Sequence, residues 1–452
     1  MVETISVIGL GKLGSPLAAC VAAAGFKVHA VDLDAKKVEA LNRGLPPVHE
    51  PGLAETIRDC QGRLHAGQDA EQAVRETDAT FIVVGTPSEA SGSFSLRYVL
   101  PTCEAIGRAL RTKSRFHLVI LTSTVMPKST GGEVKTALER FSGKTCGRDF
   151  GLCYSPEFIA LGTVIRDFYN PDFLLIGESD ERSGDMLAGI YRRVCKNSPP
   201  VARMNFVNAE ITKLAVNTFI TTKISFANMI ARLCECLPGA DANAVTGALG
   251  LDSRIGGKYL KGAVSYGGPC FPRDNRAMAA LANQAGAFSD LAVATDRFNR
   301  AQIKWLAELV KRHHARSGSI GILGLTYKPN TDVIEESVGM LLAQELSSDG
   351  SQVVVFDPAV DAGRISSVNS KLLLANSARE CVQASEVVVL ATSWKEFLDL
   401  AEDDWARRGT SRVVIDCWRM LENLEHVDGV RYIRLGFGEA LEKRVGSPLS
   451  AD

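Results

Sequence analysis

Residues 5–14 read ISVIGLGKLG, an apolar run that leads into glycines at positions 9, 11 and 14. Ile5, Val7 and Ile8 predict a short strand, and the GxGxxG spacing after it predicts a tight turn that opens a helix. Glycine suits a turn whose backbone must approach a pyrophosphate, and that charge is favoured at a helix N-terminus. A second run, Val28 to Asp32, ends on a carboxylate eighteen residues after Gly14, where it can accept hydrogen bonds from both ribose hydroxyls of a dinucleotide. Lys36 and Lys37 follow, but a 2′-phosphate would meet the Asp32 charge, so NAD is expected rather than NADP.

The rhythm of β-branched runs and helical stretches continues through Phe81 to Gly85 and Leu118 to Thr122. It returns late in the chain at Ile320 to Gly324, Val353 to Asp357, Val387 to Ala391 and Val413 to Asp416. Alternating βαβ units make parallel sheets, so the expected class is α/β, with two Rossmann-like doubly wound domains. From about Asn208 to Gly286 no strand-like run occurs, and Ala209 to Cys236 reads as one long helix. A helical domain with a long central helix should therefore join the two. A broad apolar face on such a helix needs a partner, and a homodimer is expected. The end, from about Gly446, is short and polar and is expected to be loose.

At 452 residues the chain exceeds what one core usually organises. Its 51 basic and 52 acidic side chains give no nucleic-acid footprint, although a few local cations can still hold a small anionic ligand. No basic leader precedes the first strand, and no window approaches the roughly eighteen apolar residues of a membrane span. A soluble, cytoplasmic protein is expected. Eleven cysteines at irregular spacing, without a CxxC pair, suggest reduced thiols and neither a disulfide framework nor a metal site.

Residues 266–274 read YGGPCFPRD and set Cys270 in a glycine- and proline-rich turn. Buried, inert cysteine is the usual fate of this residue and is expected for the other ten. A thiolate at 270 could attack an aldehyde to give a thiohemiacetal, and a second oxidation would yield a thioester.

With these motifs the chain resembles the UDP-glucose/GDP-mannose dehydrogenase family along nearly its whole length. The match adds EPGL at 50–53, STV at 123–125, SPEF at 155–158, AEITKLAVNTF at 209–219, RIGGKYL at 254–260 and GLTYKPNTD at 324–332, in the family's order. The resemblance implies an NAD-binding domain at 1–205, a helical dimerisation domain at 206–300 and a nucleotide-sugar domain at 301–452. It implies that Lys213 and Asn217, spaced by four on one helical face, turn toward substrate. An ammonium at Lys213 could stabilise an oxyanion, and Asp274 could position or deprotonate a hydrolytic water. Glu157 and Thr124 would share the proton handling. Arg254, Tyr259, Gly267, Lys328 and Arg419 are implied as further substrate contacts, and Lys37, Thr86, Thr124 and Arg273 as cofactor contacts beside Gly9, Gly11, Gly14 and Asp32.

The chain also departs from the family pattern. Arg273 stands for the usual lysine, and Glu335 for an arginine, which puts NAD affinity or its geometry in question. Leu161 replaces an acid, Ser155 an asparagine and Lys128 a glycine. The expected activity is four-electron oxidation of UDP-glucose to UDP-glucuronate with two NAD reduced per sugar. Left open are another nucleotide sugar (UDP-N-acetylhexosamine or GDP-mannose), a single-step dehydrogenase of the 3-hydroxyacid type, and a non-catalytic NAD-binding homologue.

Overall fold

The structure, a computed structural model, describes residues 2–60, 62–314, 318–407, 409 and 411–439. The tail expected to be loose from Gly446 lies outside the described residues. Backbone contacts divide the chain into two units, Met1–Val216 with Arg276–Ser289, and Asn217–Asn275 with Asp290–Asp452.

The first unit is built on eight strands: β1 Thr4–Ile8, β2 Lys27–Val31, β3 Leu64–Gly67, β4 Ala79–Ile82, β5 Leu118–Leu121, β6 Gly151–Tyr154, β7 Leu174–Glu178 and β8 Val201–Met204. Their order is β3-β2-β1-β4-β5-β6-β7-β8. Every neighbouring pair is parallel except β6 and β7. Strands such as Leu118–Leu121 are buried along their whole length, as a sheet covered by helices on both faces requires. The chain order reverses between β1 and β4, the switch point at which doubly wound sheets take their ligands.

The second unit carries β9 Ser319–Leu323, β10 Gln352–Phe356, β11 Leu373–Leu374, β12 Val387–Leu390, β13 Arg412–Asp416 and β14 Val430–Arg434. Their order is β11-β10-β9-β12-β13-β14, all parallel, so the first three strands again reverse at the switch point. Between Met204 and Ser319 no described residue belongs to a strand. The long helix runs from Phe206 to Glu235, about 45 Å at 1.5 Å per residue.

One expected strand is displaced. The run anticipated at Phe81 to Gly85 is Ala79–Ile82, because Val83 and Val84 leave the sheet against the first glycine turn. A Cβ at Gly9 would lie 2.6 Å from the Val83 carbonyl oxygen, so only a glycine with φ of +104° fits beside that segment. The helix Gly14–Ala23 then starts on the same turn, where a Cβ at Gly14 would stand 1.8 Å from the Gly9 carbonyl oxygen.

Under this sheet lies a buried polar group with no place in the ligand site. His117 is fully buried, with Nε2 2.8 Å from Thr80 Oγ1 and Nδ1 2.9 Å from Lys113 Nζ. Lys113 also donates to the carbonyls of Val74 and Thr77. Burial, and then the neighbouring ammonium, push the His117 pKa down to about 3 from the ordinary 6.5. The unfolded chain protonates His117 below 6.5 whereas the folded chain resists until about 3, so stability is lost as pH falls through that window. The slope contributed is up to about 1.4 kcal/mol per pH unit. His117→Gln should flatten the fall in urea-melt stability between pH 6.5 and 4.5, and an unchanged slope would place the proton uptake elsewhere.

Candidate active site

The cofactor station lies at the first switch point. Asp32 Oδ2 accepts from the Leu10 amide at 2.7 Å and Oδ1 from the Asp34 amide at 2.9 Å, which fixes the carboxylate at the rim. Lys37 Nζ stands 3.5 Å from Oδ2 and tempers that charge. A cavity of about 420 Å³ opens here between Gly9, Gly11, Asp32, Lys37, Tyr98 and Thr102. A Cβ built at Gly11 would touch nothing within 4 Å, so this backbone faces open space. The helix Gly14–Ala23 has no side-chain cap, but the Ser15 and Leu17 amides already donate to the Gly11 and Leu13 carbonyls and Pro16 has no N–H, so it is the glycine turn ahead of the helix that faces the cavity. Thr86 Oγ1 donates to the Thr124 carbonyl at 2.6 Å and joins the loops after β4 and β5. A dinucleotide fits this set of groups: glycine backbone for the pyrophosphate, Asp32 for a ribose.

A second station in the same unit follows β6. Lys213, buried on the long helix, donates to the Glu157 carbonyl oxygen at 2.6 Å and lies 4.6 Å from the centre of the Phe158 ring. Burial raises the Glu157 carboxyl to about 7, and the Tyr191 hydroxyl and Lys213 oppose that rise. Lys213 and Glu157 are thus brought together through the main chain. Glu210, buried on the same helix, accepts from the Lys128 and Thr130 amides at 2.6 and 2.8 Å and secures the loop that carries Thr124. Lys128 sits at φ of +81°, which explains why glycine suits this position: a side chain there is strained by about 1–2 kcal/mol.

The cysteine loop belongs to the second unit. Gly268, at φ of +83°, would place a Cβ 2.6 Å from the Tyr327 ring, and its amide donates to the Glu335 carbonyl at 3.1 Å. A Cβ at Gly267 would come within 2.2 Å of the Glu336 carbonyl oxygen. Asn299 clamps Tyr266 from the other side, accepting from its amide and donating to its carbonyl, each at 2.9 Å. The loop therefore delivers Cys270, exposed, to the N-terminus of the helix Phe271–Gln284, where the Asp274 amide donates to the Cys270 carbonyl at 2.8 Å. Negative charge is favoured at that end of a helix. The thiols of Cys20, Cys103 and Cys381 are instead pushed up to about 12 by burial. Cys236 is also exposed, but it follows the C-terminal end of the long helix, where negative charge is disfavoured.

Asp274 is fully buried, with Oδ2 accepting from Asn217 Nδ2 at 2.6 Å and Oδ1 from Arg273 Nε at 3.3 Å. Both oxygens are engaged, so the carboxylate orients Asn217 and Arg273. Tyr259, at φ of +63°, packs edge-on to Phe271 at 6.5 Å, beside the nucleophile. Lys328 follows β9 with Nζ 5.8 Å from the Tyr327 ring centre. Arg254 projects into solvent and pairs with Asp252 at 2.6 Å. Arg419 donates to the Asp241 carboxylate and to the Leu435 carbonyl, each at 2.7 Å. Glu335 supports the cysteine loop through its carbonyl, a contact any residue can supply. Residue reading missed Asn299, Glu336 and Tyr191; nothing in their local pattern separates them from core or surface positions.

An open glycine turn closed by Asp32, together with an exposed thiol at a helix start, defines an NAD-dependent oxidoreductase. Residues 3–195 match the NAD binding domain of the UDP-glucose/GDP-mannose dehydrogenase family, 207–301 its central domain and 321–423 its UDP binding domain. The chain belongs to that family. It is 36% identical over 428 residues to a UDP-glucose 6-dehydrogenase of Haloferax volcanii, covering 94% of this chain and 98% of that one. A GDP-mannose 6-dehydrogenase of Pseudomonas aeruginosa is 34% identical over 410 residues, 88% of this chain and 93% of the relative. Among solved structures, a UDP-glucose dehydrogenase from Pyrobaculum islandicum superimposes with a TM-score of 0.88 at 34% identity, covering 97% of this chain and 98% of that one. The chain is an NAD-dependent dehydrogenase of the UDP-glucose 6-dehydrogenase type, acting on nucleotide sugars. Asp32→Ala should weaken NADH binding about ten- to hundredfold in a fluorescence titration, since hydrogen bonds to a charged acceptor are worth roughly 1.5–3 kcal/mol. Unchanged affinity would take the ribose contact away from Asp32.

Proposed function

We propose that this protein oxidises the C6 alcohol of UDP-glucose to the carboxylate of UDP-glucuronate, with Cys270 as the covalent nucleophile. The observation that carries this reading is the placement of Cys270, exposed at a helix N-terminus on a loop with glycine packing behind it. When bound, NAD would supply the two-electron acceptor, one molecule for oxidation of the C6 alcohol to the aldehyde and a second for the next oxidation. Cys270 sulfur adds to the C6 aldehyde, and the resulting thiohemiacetal is oxidised to a thioester. Water then cleaves the C6–sulfur bond, releasing the carboxylate and restoring the thiol. In this reading Lys213 stabilises the C6 oxyanion, Glu157 exchanges protons with the alcohol and the water, and Asn217, oriented by Asp274, holds the reacting oxygen. Thr124 lines the same path, and Lys37, Thr86 and Arg273 assist the cofactor. Arg254, Tyr259, Gly267, Lys328 and Arg419 are proposed to recognise the nucleotide sugar.

The choice of UDP-glucose is supported by the 36% identity to a UDP-glucose 6-dehydrogenase, and the 34% identity to a GDP-mannose 6-dehydrogenase favours the runner-up. The three-part division at 1–205, 206–300 and 301–452, and a cytoplasmic homodimer, belong to the same proposal. Among the described residues no helix is long and apolar enough to cross a membrane, and no disulfide joins the cysteines. The dimer is supported by Phe219, Phe226, Met229 and Leu233, which leave an exposed apolar stripe along one face of the long helix.

NADH formed per mole of limiting sugar, measured on UDP-glucose, UDP-N-acetylglucosamine, UDP-galactose and GDP-mannose, decides the substrate and the electron count. Two equivalents on UDP-glucose are expected. One equivalent would sink the four-electron reading, and two on another sugar would reassign the substrate. Cys270→Ser should abolish net acid formation, and normal turnover to the carboxylate would remove the covalent route. For the dimer, Phe226→Glu should halve the mass seen by light scattering, and an unchanged mass would place any interface elsewhere.

A further inference from the structure

We propose that Tyr191 is a positioning residue for Glu157, and that Ser155 decides where the Tyr191 hydroxyl donates its proton. This rests on the reading of Glu157 as the acid and base of the reaction. Tyr191, buried on the helix Glu181–Val194, places Oη 2.9 Å from Ser155 Oγ and 3.3 Å from Glu157 Oε1. Ser155, also buried, has its Oγ 3.0 Å from the Leu175 carbonyl oxygen. A carbonyl can only accept, so the single Ser155 proton goes to Leu175 and the hydroxyl offers Tyr191 a lone pair. One phenol proton then has two acceptors.

With Glu157 neutral, every group in the chain is satisfied in one direction: Glu157 donates to Tyr191, Tyr191 to Ser155, and Ser155 to Leu175. Ionisation of Glu157 draws the phenol proton to the carboxylate and leaves the Ser155 lone pair unfilled. Tyr191 therefore favours the charged form of Glu157, while Ser155, by competing for the same proton, favours the neutral one. The titratable groups facing Glu157 are Tyr191 and Cys195 on and just after the helix Glu181–Val194, Cys20 on the helix Gly14–Ala23, and Lys213 on the long helix. Burial pushes the Cys20 and Cys195 thiols up to about 12 and 11, so both stay neutral, while Lys213 is committed to the Glu157 carbonyl. Burial lifts Glu157 itself to about 7, so both proton arrangements are populated near neutral pH.

The test follows the Glu157 carboxyl by infrared difference spectroscopy on the full chain during a pH titration, its band assigned by loss in Glu157→Gln. Tyr191→Phe should raise the midpoint by roughly 0.5–1 pH unit, because the donor to the carboxylate is gone. Ser155→Ala should lower it by a few tenths, because the competitor is gone. The double variant should match Tyr191→Phe, since Ser155 acts only through the phenol. Loosened packing cannot produce opposite signs from two truncations. Shifts of the same sign, an unmoved midpoint, or an effect of Ser155→Ala that survives in the Tyr191→Phe background would each overturn the relay. A parallel pH profile of kcat/KM on UDP-glucose separates the two readings. If the infrared shifts occur but the kinetic limb persists in Glu157→Gln, the relay stands and the acid-base role of Glu157 falls. If Glu157→Gln removes the limb and the infrared midpoint does not move, the relay alone falls.

Discussion

The structure depends on a contact between backbones in which there is no room for a Cβ. At the first switch point Gly9, Gly14 and the Val83 segment meet so closely that β1, β4 and the first helix can pack only as they do. The second unit repeats the device, since a Cβ at Gly339 would stand 1.9 Å from the Gly324 carbonyl oxygen. Each unit also ties the residue after its first glycine to an aspartate at the end of the next strand: Leu10 to Asp32 and Leu325 to Asp357, both at 2.7 Å. The two frames then diverge. Asp32 keeps a rim position on an open cavity, whereas Asp357 is buried and accepts from the Thr326 amide and hydroxyl and from the Trp394 indole. One frame leaves its aspartate available to a ribose, and the other has turned the same position into an internal lock.

The cysteine loop obeys the same rule of close approach with different partners. Gly267 and Gly268 press on the Glu336 carbonyl and the Tyr327 ring, and Asn299 holds the strand of chain before them. Glu336 itself sits at φ of +51°, a strained position for a side chain, of the sort that persists where surroundings over-determine the backbone. Against this background the unusual Glu335 loses some of its weight. Its carbonyl, which any residue would provide, is what supports Gly268. The charge change and the loop's architecture are therefore separable.

The elements legible in the sequence were those whose pattern has a single physical cause. Strands β1, β5, β9, β10, β12 and β13 are apolar runs buried along most of their length, β2 alternates buried Val28 and Ala30 with exposed Lys27 and half-buried His29, and the long helix has no competing strand signal, so each was found within a few residues. Strands β3, β6, β7, β8, β11 and β14 were not anticipated: β3, β8, β11 and β14 lie at the sheet edges, where polar or exposed residues break the apolar run, while Gly151–Tyr154 and Leu174–Glu178 are buried interior strands whose short runs a glycine opens or interrupts. Within the candidate site, Asp32 and Cys270 stood out through glycine spacing and loop composition, whereas Lys213 and Asn217 were reached only through the family motif AEITKLAVNTF. Tyr191 could not, because a buried tyrosine on an amphipathic helix looks like core until its hydroxyl is seen facing Glu157. Asn299 was hidden for the same reason, since its role is to satisfy another residue's backbone.

The position of the Lys213 ammonium matters more than its presence. Had Nζ paired with the Glu157 carboxylate, the ion pair would have held that carboxyl ionised and tied up the cation in one stroke. Instead Nζ donates to the Glu157 main-chain carbonyl and rests against the Phe158 ring, while the carboxyl turns to the Tyr191 hydroxyl. An ammonium from the long helix and a carboxyl balanced near neutrality can thus coexist a few ångströms apart without forming an ion pair. In the proposed reaction, which first takes a proton from an alcohol and later manages one from water, that coexistence would matter, because a carboxylate locked in one form could serve only one of the two steps.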